Sequence, residues 1–232
     1  MRPEYSIFKA DPEIAGCMAG KSPCGRYRLA VNPAAADFAE RLHDFIAYEN
    51  AHGRQVLIDA PGIDLAKLPR PPAGIRASDP RYAVHSTPLS SYAKILRDGC
   101  LKSAALLEIP AIGFAPLGEP EDYLDYIMFA AIDGFCASEI VVNSRLRGEV
   151  CYNPDMPYHP QARMYFDAHK IIADGLATRD GSHWVKVRGT LPLKPYLVLT
   201  VCANDVELPP GEPRWTPRLF AAQADRYFEE QL

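Results

Sequence analysis

The chain has 232 residues, 48% of them hydrophobic and 23% charged, with a net charge of −4. That balance excludes a disordered chain, because enough apolar surface exists to offset the entropy of ordering. It also excludes a global basic field for a phosphate backbone, and no apolar run nears the ~20 residues that span a bilayer.

The N-terminus lacks a basic start followed by an apolar stretch, so no secretory leader is expected. Cys17, Cys24, Cys100, Cys136, Cys151 and Cys202 form no CxxC pair. They read as free thiols in a reducing, cytoplasmic compartment, and no metal site is expected. The 22 prolines predict short elements joined by many turns.

Residues 1–30 show weak periodicity and are expected to wrap the surface. Asn32 is read as a helix cap with Pro33 at the first position, and Phe38, Leu42, Phe45 and Ile46 recur at helical spacing up to Gly53. Residues 55–59 (QVLID) read as a strand. Residues 60–80 are rich in Pro and Gly and read as a loop or linker. Residues 1–80 are therefore taken as an N-terminal helical and irregular segment.

Residues 81–85 (RYAVH) predict a strand. A helix capped by Ser90 follows, with Tyr92, Ile95 and Leu96 inward and Gly99 as its left-handed stop. Residues 122–131 read as helical. Residues 139–143 and 163–167 read as strands, 168–174 as a short helix, and 184–188 and 196–202 as strands. The run from Pro217 is amphipathic and is expected to pack on this chain or a partner. Short strands and helices in irregular order predict an α+β fold.

Chemistry is expected around VHSTPLSSYAKILRDGCL, residues 84–101. A histidine at a strand end is followed by hydroxyl residues, a short helix and G-x-L. This stretch resembles the first motif of the ADP-ribosyltransferase superfamily. The resemblance implies an ADP-ribosyltransferase-like core of short mixed strands over residues 81–232, with NAD as co-substrate. It implies that His85 bonds a ribose hydroxyl and that Ser86 and Thr87 hold the nicotinamide amide.

Residues 112–129, IGFAPLGEPEDYLDYIMF, resemble the family's second block, which supplies a tyrosine to stack on nicotinamide. Tyr123 and Tyr126 are the candidates, and both equally suit helix packing. Residues 137–147, ASEIVVNSRLR, resemble the third block, where a glutamate opens a strand. Glu139 would stabilise the oxocarbenium formed as nicotinamide leaves. Glu119, Glu121 and Glu149 compete for that place.

Residues 163–197 are similar to the closing region of RNA 2′-phosphotransferases, with Arg163 at the place of the cationic, phosphate-clamping residue. Residues 1–80 carry no counterpart of that family's N-terminal lobe. The resemblances together imply a transferase that moves ADP-ribose to a nucleic acid or protein, with a toxin-like role and a neutralising partner protein by analogy. The alternatives are an NAD-using RNA 2′-phosphotransferase or an inactive nucleotide-binding module. Arg145 and Arg147, and Lys186 and Arg188 on one strand face, are candidate contacts to a polyanion or the NAD pyrophosphate.

Overall fold

Strand β1 (Tyr5–Ala10) alternates inward and outward residues, with Ser6 and Phe8 fully buried. A computed structural model describes residues 5–21, 25–109, 121–132 and 136–232. In it, β2 (Cys17–Lys21), β3 (Tyr27–Val31) and β4 (Gln55–Ile58) join β1 in a sheet of order β2-β3-β1-β4. β1 runs parallel to β3 and to β4, and β2 runs antiparallel to β3. Three strands thus stand where sequence periodicity predicts only a surface wrap. Their inward positions are read by pairing, not by local pattern.

Helix α1 (Phe38–Ala51) covers one face of this sheet. It buries Phe38, Leu42 and Phe45 against Phe8, Leu29 and Val31. Its start lies beyond the predicted cap. Asn32 instead closes a turn, accepting from the Ala34 amide at 2.9 Å while its Nδ2 donates to the Ile14 carbonyl. The Pro- and Gly-rich stretch is no free linker. Ile63, Leu65 and Leu68 pack on the same core, and Arg76 bonds Asp44 of α1 while Asp79 bonds Arg179.

The second half builds on β5 (Tyr82–Thr87). Helix α2 (Leu89–Asp98) follows, with Pro88, not Ser90, at its cap, and then β6 (Cys100–Lys102). Gly99 ends α2 at φ +68°, its amide on the Ile95 carbonyl at 2.8 Å. A Cβ there would meet no atom within 4 Å. The cost of Gly99→Ala is therefore purely conformational, about 1 kcal/mol. Urea unfolding at an unchanged m-value measures it.

Residues 122–131 are not a helix. A single 3₁₀ turn, Glu121–Asp125, leads into β7 (Tyr126–Met128) and β8 (Ala130–Ala131). Residues 139–143 are not a strand. They lie in helix α3 (Ala137–Arg147), which ends at Gly148 in the left-handed region. Their β-branched run is overridden because Glu139, Val142 and Asn143, spaced as on one helical face, all turn inward.

The remaining elements are β9 (Ala162–Asp167), α4 (Ala168–Ala173), β10 (Ala177–Thr178), β11 (Lys186–Arg188), β12 (Thr190–Pro192), β13 (Leu197–Val201) and α5 (Pro217–Glu230). They form a four-stranded sheet β13-β9-β5-β8, a three-stranded sheet β10-β11-β7 and the pair β12-β6, all antiparallel. The whole is α+β, with five α-helices among the described residues. None of these helices is long and apolar enough to cross a membrane. Helix α5 packs on its own chain. Phe220, Ala224 and Phe228 meet Val84, Tyr165 and Val201, and Phe228 stacks on Tyr165 at 4.1 Å and 5°. Its apolar face is thereby covered.

Candidate functional site

Strand β5 carries His85, Ser86 and Thr87 in sequence, and β9 fixes their directions. The register pairs His85 with Met164, Ser86 with Arg163 and Thr87 with Ala162. Successive side chains point to opposite faces. Ala83, Met164 and Phe166 enter one core, whereas Val84 and Tyr165 enter the core under α5. His85 and Thr87 therefore share the first face, and Ser86 and Arg163 share the second.

On the second face the polar groups close into a buried cluster. Ser86 Oγ donates to Glu139 Oε1 at 2.5 Å, and Arg163 Nη1 donates to Glu139 Oε2 at 2.7 Å. Arg163 Nη2 and Nε bond Asp225 of α5 at 2.8 and 2.9 Å, and Nε also reaches Tyr165 Oη. Tyr165 Oη in turn donates to Asp225 Oδ1. Glu139 is 0% exposed and Arg163 2%. Burial works against the Arg163 charge, but Glu139, Tyr165 and Asp225 hold its pKa above the ordinary guanidinium range. Burial, with Glu139, pushes the nearby Cys136 thiol up to about 11, so it stays protonated near neutral pH.

Every nitrogen of the Arg163 guanidinium is thus engaged inside the protein. This corrects its expected place as a cofactor or phosphate ligand. A clamp needs donors facing the ligand, and all of these face carboxylates or Tyr165.

His85 has a different setting. Its Nδ1 lies 3.1 Å from the Met128 carbonyl, and its ring is 5.9 Å from that of Phe129. Burial lowers its pKa, opposed by the Met128 carbonyl and helped by Arg145. The neutral ring is therefore favoured. A carbonyl only accepts, so the proton sits on Nδ1 and Nε2 presents a lone pair. No described residue bonds Nε2. On the side of β5 away from β9, β8 pairs only with Ala83 and Val84. Among the described residues no strand pairs there with His85, Ser86 or Thr87.

Tyr123 and Tyr126 belong to a third environment. With Tyr48 they surround the Lys186 ammonium, which lies 3.8, 4.6 and 3.6 Å from the three ring centres respectively. Tyr123 and Tyr126 are only 3% and 7% exposed and pack with the N-terminal core. They are walls of a filled cage, which corrects the expectation of a stacking ring. Lys186 is 0% exposed and bonds Asp180 at 2.7 Å. Arg188, expected to work beside Lys186, points to solvent near Asp125. Sequence reading missed Asp180. Its one signal was D-G-S-H, where a carboxylate can accept from amides two and three residues on.

The expected grouping of imidazole, ring and carboxylate is therefore divided. Ser86, Glu139 and Arg163 come together, His85 and Thr87 lie across the strand, and Tyr123 and Tyr126 line the Lys186 cage. The cause is period-two alternation in β5 together with the helical origin of Glu139. A shallow hollow of about 10 Å³, room for one water, lies between α1 and the 179–184 loop. Its arginines, Arg41, Arg76 and Arg179, are paired with Asp37, Asp44 and Asp79. None of the expected site residues lines it. Glu119 and residues 112–120 of the second block lie outside the described residues, as does Cys24. No protein-family model, no curated protein and no solved structure matches the chain.

Proposed function

We propose that the chain is an NAD-dependent ADP-ribosyltransferase whose nicotinamide–ribose end is held at the His85 edge of β5. The observation that carries the reading is the contact of His85 Nδ1 with the Met128 carbonyl. The Met128 carbonyl, 3.1 Å from Nδ1, leaves Nε2 to accept a ribose hydroxyl. The strand edge beside it, which no strand pairs among the described residues, offers backbone groups that suit an amide such as nicotinamide. In this reading Glu139 is given a positioning role and not that of the carboxylate that meets the oxocarbenium. Glu139 instead holds Ser86 and Arg163, and so fixes the strand that carries His85. Transfer would deliver ADP-ribose to a macromolecular acceptor in a reducing, cytoplasmic setting.

A second reading has its own support. With Glu139 locked on the opposite face, the same edge suits an NAD-binding module without transfer. Incubation with NAD labelled in the adenylate part, and with DNA, RNA and protein acceptors, separates the two. Nicotinamide release with label on an acceptor supports transfer. A rise in melting temperature with NAD but no release supports the module. No thermal shift and no release removes both.

His85→Ala is expected to lower nicotinamide release, or NAD affinity, on the order of 10²-fold. Because its pKa is lowered, the imidazole stays neutral below the ordinary histidine range. NAD binding should therefore persist as pH falls through ~6.5 and fade only below it. Binding that halves at or above pH ~6.5 contradicts the assignment.

A further inference from the structure

The N-terminal sheet has a second face that α1 does not cover. Alternation places Ser6, Phe8, Leu29 and Val56 toward α1 and the core. The residues between them look the other way. Register sets Arg28, Ile7 and Leu57 in one row across β3, β1 and β4, and Met18, Ala30 and Lys9 in the next across β2, β3 and β1. Arg26 precedes β3 on the same side, its guanidinium 3.4 Å from the centre of the Tyr5 ring.

Two features define this surface. First, no strand position on it is a carboxylate, in a chain whose net charge is −4. Asp11 and Asp59 follow the ends of β1 and β4, so the cations hold the middle and opposite end. Lys9 and Arg28 make no ion pair among the described residues, whereas Arg41, Arg54, Arg76, Arg163 and Arg179 are all paired. Second, large apolar side chains stand among the cations in the open. Met18 is 55% exposed and Leu57 47%.

We propose that this open face docks a single strand of nucleic acid. The acceptor role of that strand rests on the transferase reading above, whereas the docking itself does not. Lys9 and Arg28 meet phosphates, and Met18, Ile7 and Leu57 meet bases. The charge pattern is the local cationic patch that an acidic chain needs to hold a polyanion.

Fluorescence anisotropy with labelled oligo-dT and oligo-U of ~12 nucleotides tests this on the full chain. Wild type is expected to bind both, more weakly as salt rises. Lys9→Gln with Arg28→Gln should weaken binding roughly tenfold and flatten the log–log salt slope by about 1.4, or ~0.7 per lost phosphate contact. Met18→Ser with Leu57→Ser should weaken binding at an unchanged slope. Both pairs change partly or largely exposed positions, and nicotinamide release without acceptor should be unaltered in each.

No binding by wild type overturns the proposal. So does an unchanged slope in the cation variant, or equally tight binding of poly-glutamate, which offers charge without bases. If oligonucleotides bind as expected but neither they nor a protein acceptor receives ADP-ribose and no nicotinamide is released, the docking face stands and the transferase reading falls. If label reaches nucleic acid as fast in the cation variant as in wild type, the transferase reading stands and the docking face falls.

Discussion

Arg163→Ala is expected to lower the thermal midpoint on the order of 10 °C. The guanidinium is 2% exposed and bonds Glu139, Asp225 and Tyr165 together. Removing it leaves a fully buried Glu139 and a largely buried Asp225 without their cation. Breaking one partner out of a buried ion pair costs about 3–5 kcal/mol, and a domain of this size shifts roughly 2–4 °C per kcal/mol. The loss should exceed that of replacing the whole cluster. Arg163→Met with Glu139→Leu and Asp225→Leu removes every stranded charge, and should melt higher than Arg163→Ala alone. Calorimetry of the two proteins decides it. If they melt in the opposite order, the cluster contributes a net attraction beyond relief of stranded charge.

The cluster also shows how far the sequence could be read. Three of its members, Ser86, Glu139 and Arg163, stand out in the chain by motif resemblance. Their contact follows from a β5–β9 register that local pattern does not encode. Another member, Asp225, sits in an amphipathic helix whose apolar face is plain from the sequence. Nothing in that stretch says that its carboxylate turns inward beside Ala221 and Ala224. Helices with clean periodicity are legible in the sequence, as α1, α2, α4 and α5 show, the first three with a glycine just past their ends, although Leu96 of α2, expected to face inward, is 50% exposed. The failures came where tertiary contacts outweigh propensity. The run of Ile140, Val141 and Val142 looks like a strand yet folds as a helix around Glu139, because the sheet needs a lid with one polar contact for Ser86. Tyr123 and Tyr126 looked like a helical pair. They end as a turn and a strand because Lys186 needs their rings on several sides.

That cage carries the other large effect. Asp180 is fully buried, and Lys186 Nζ, Tyr123 Oη, His183 Nδ1 and the amides of Ser182 and His183 all point to it. Asp180→Ala should destabilise by about 3–5 kcal/mol, because it leaves a buried ammonium without its hydrogen-bonded carboxylate. Lys186→Met added to Asp180→Ala should recover part of that loss, and a double-mutant cycle in urea measures the coupling. The sign with pH follows from the carboxylate. Burial alone would raise the Asp180 pKa, but His183 and Lys186 hold it well below the usual range. Its contribution is then fully present above the unfolded value of ~3.9 and is lost as pH falls below that value toward the folded one. Wild type should lose stability on acidification through that window, and Asp180→Asn should lose less of it. Equal acid slopes in the two proteins would mean that Asp180 titrates normally, and would overturn the account in which five inward-pointing donors hold it ionised.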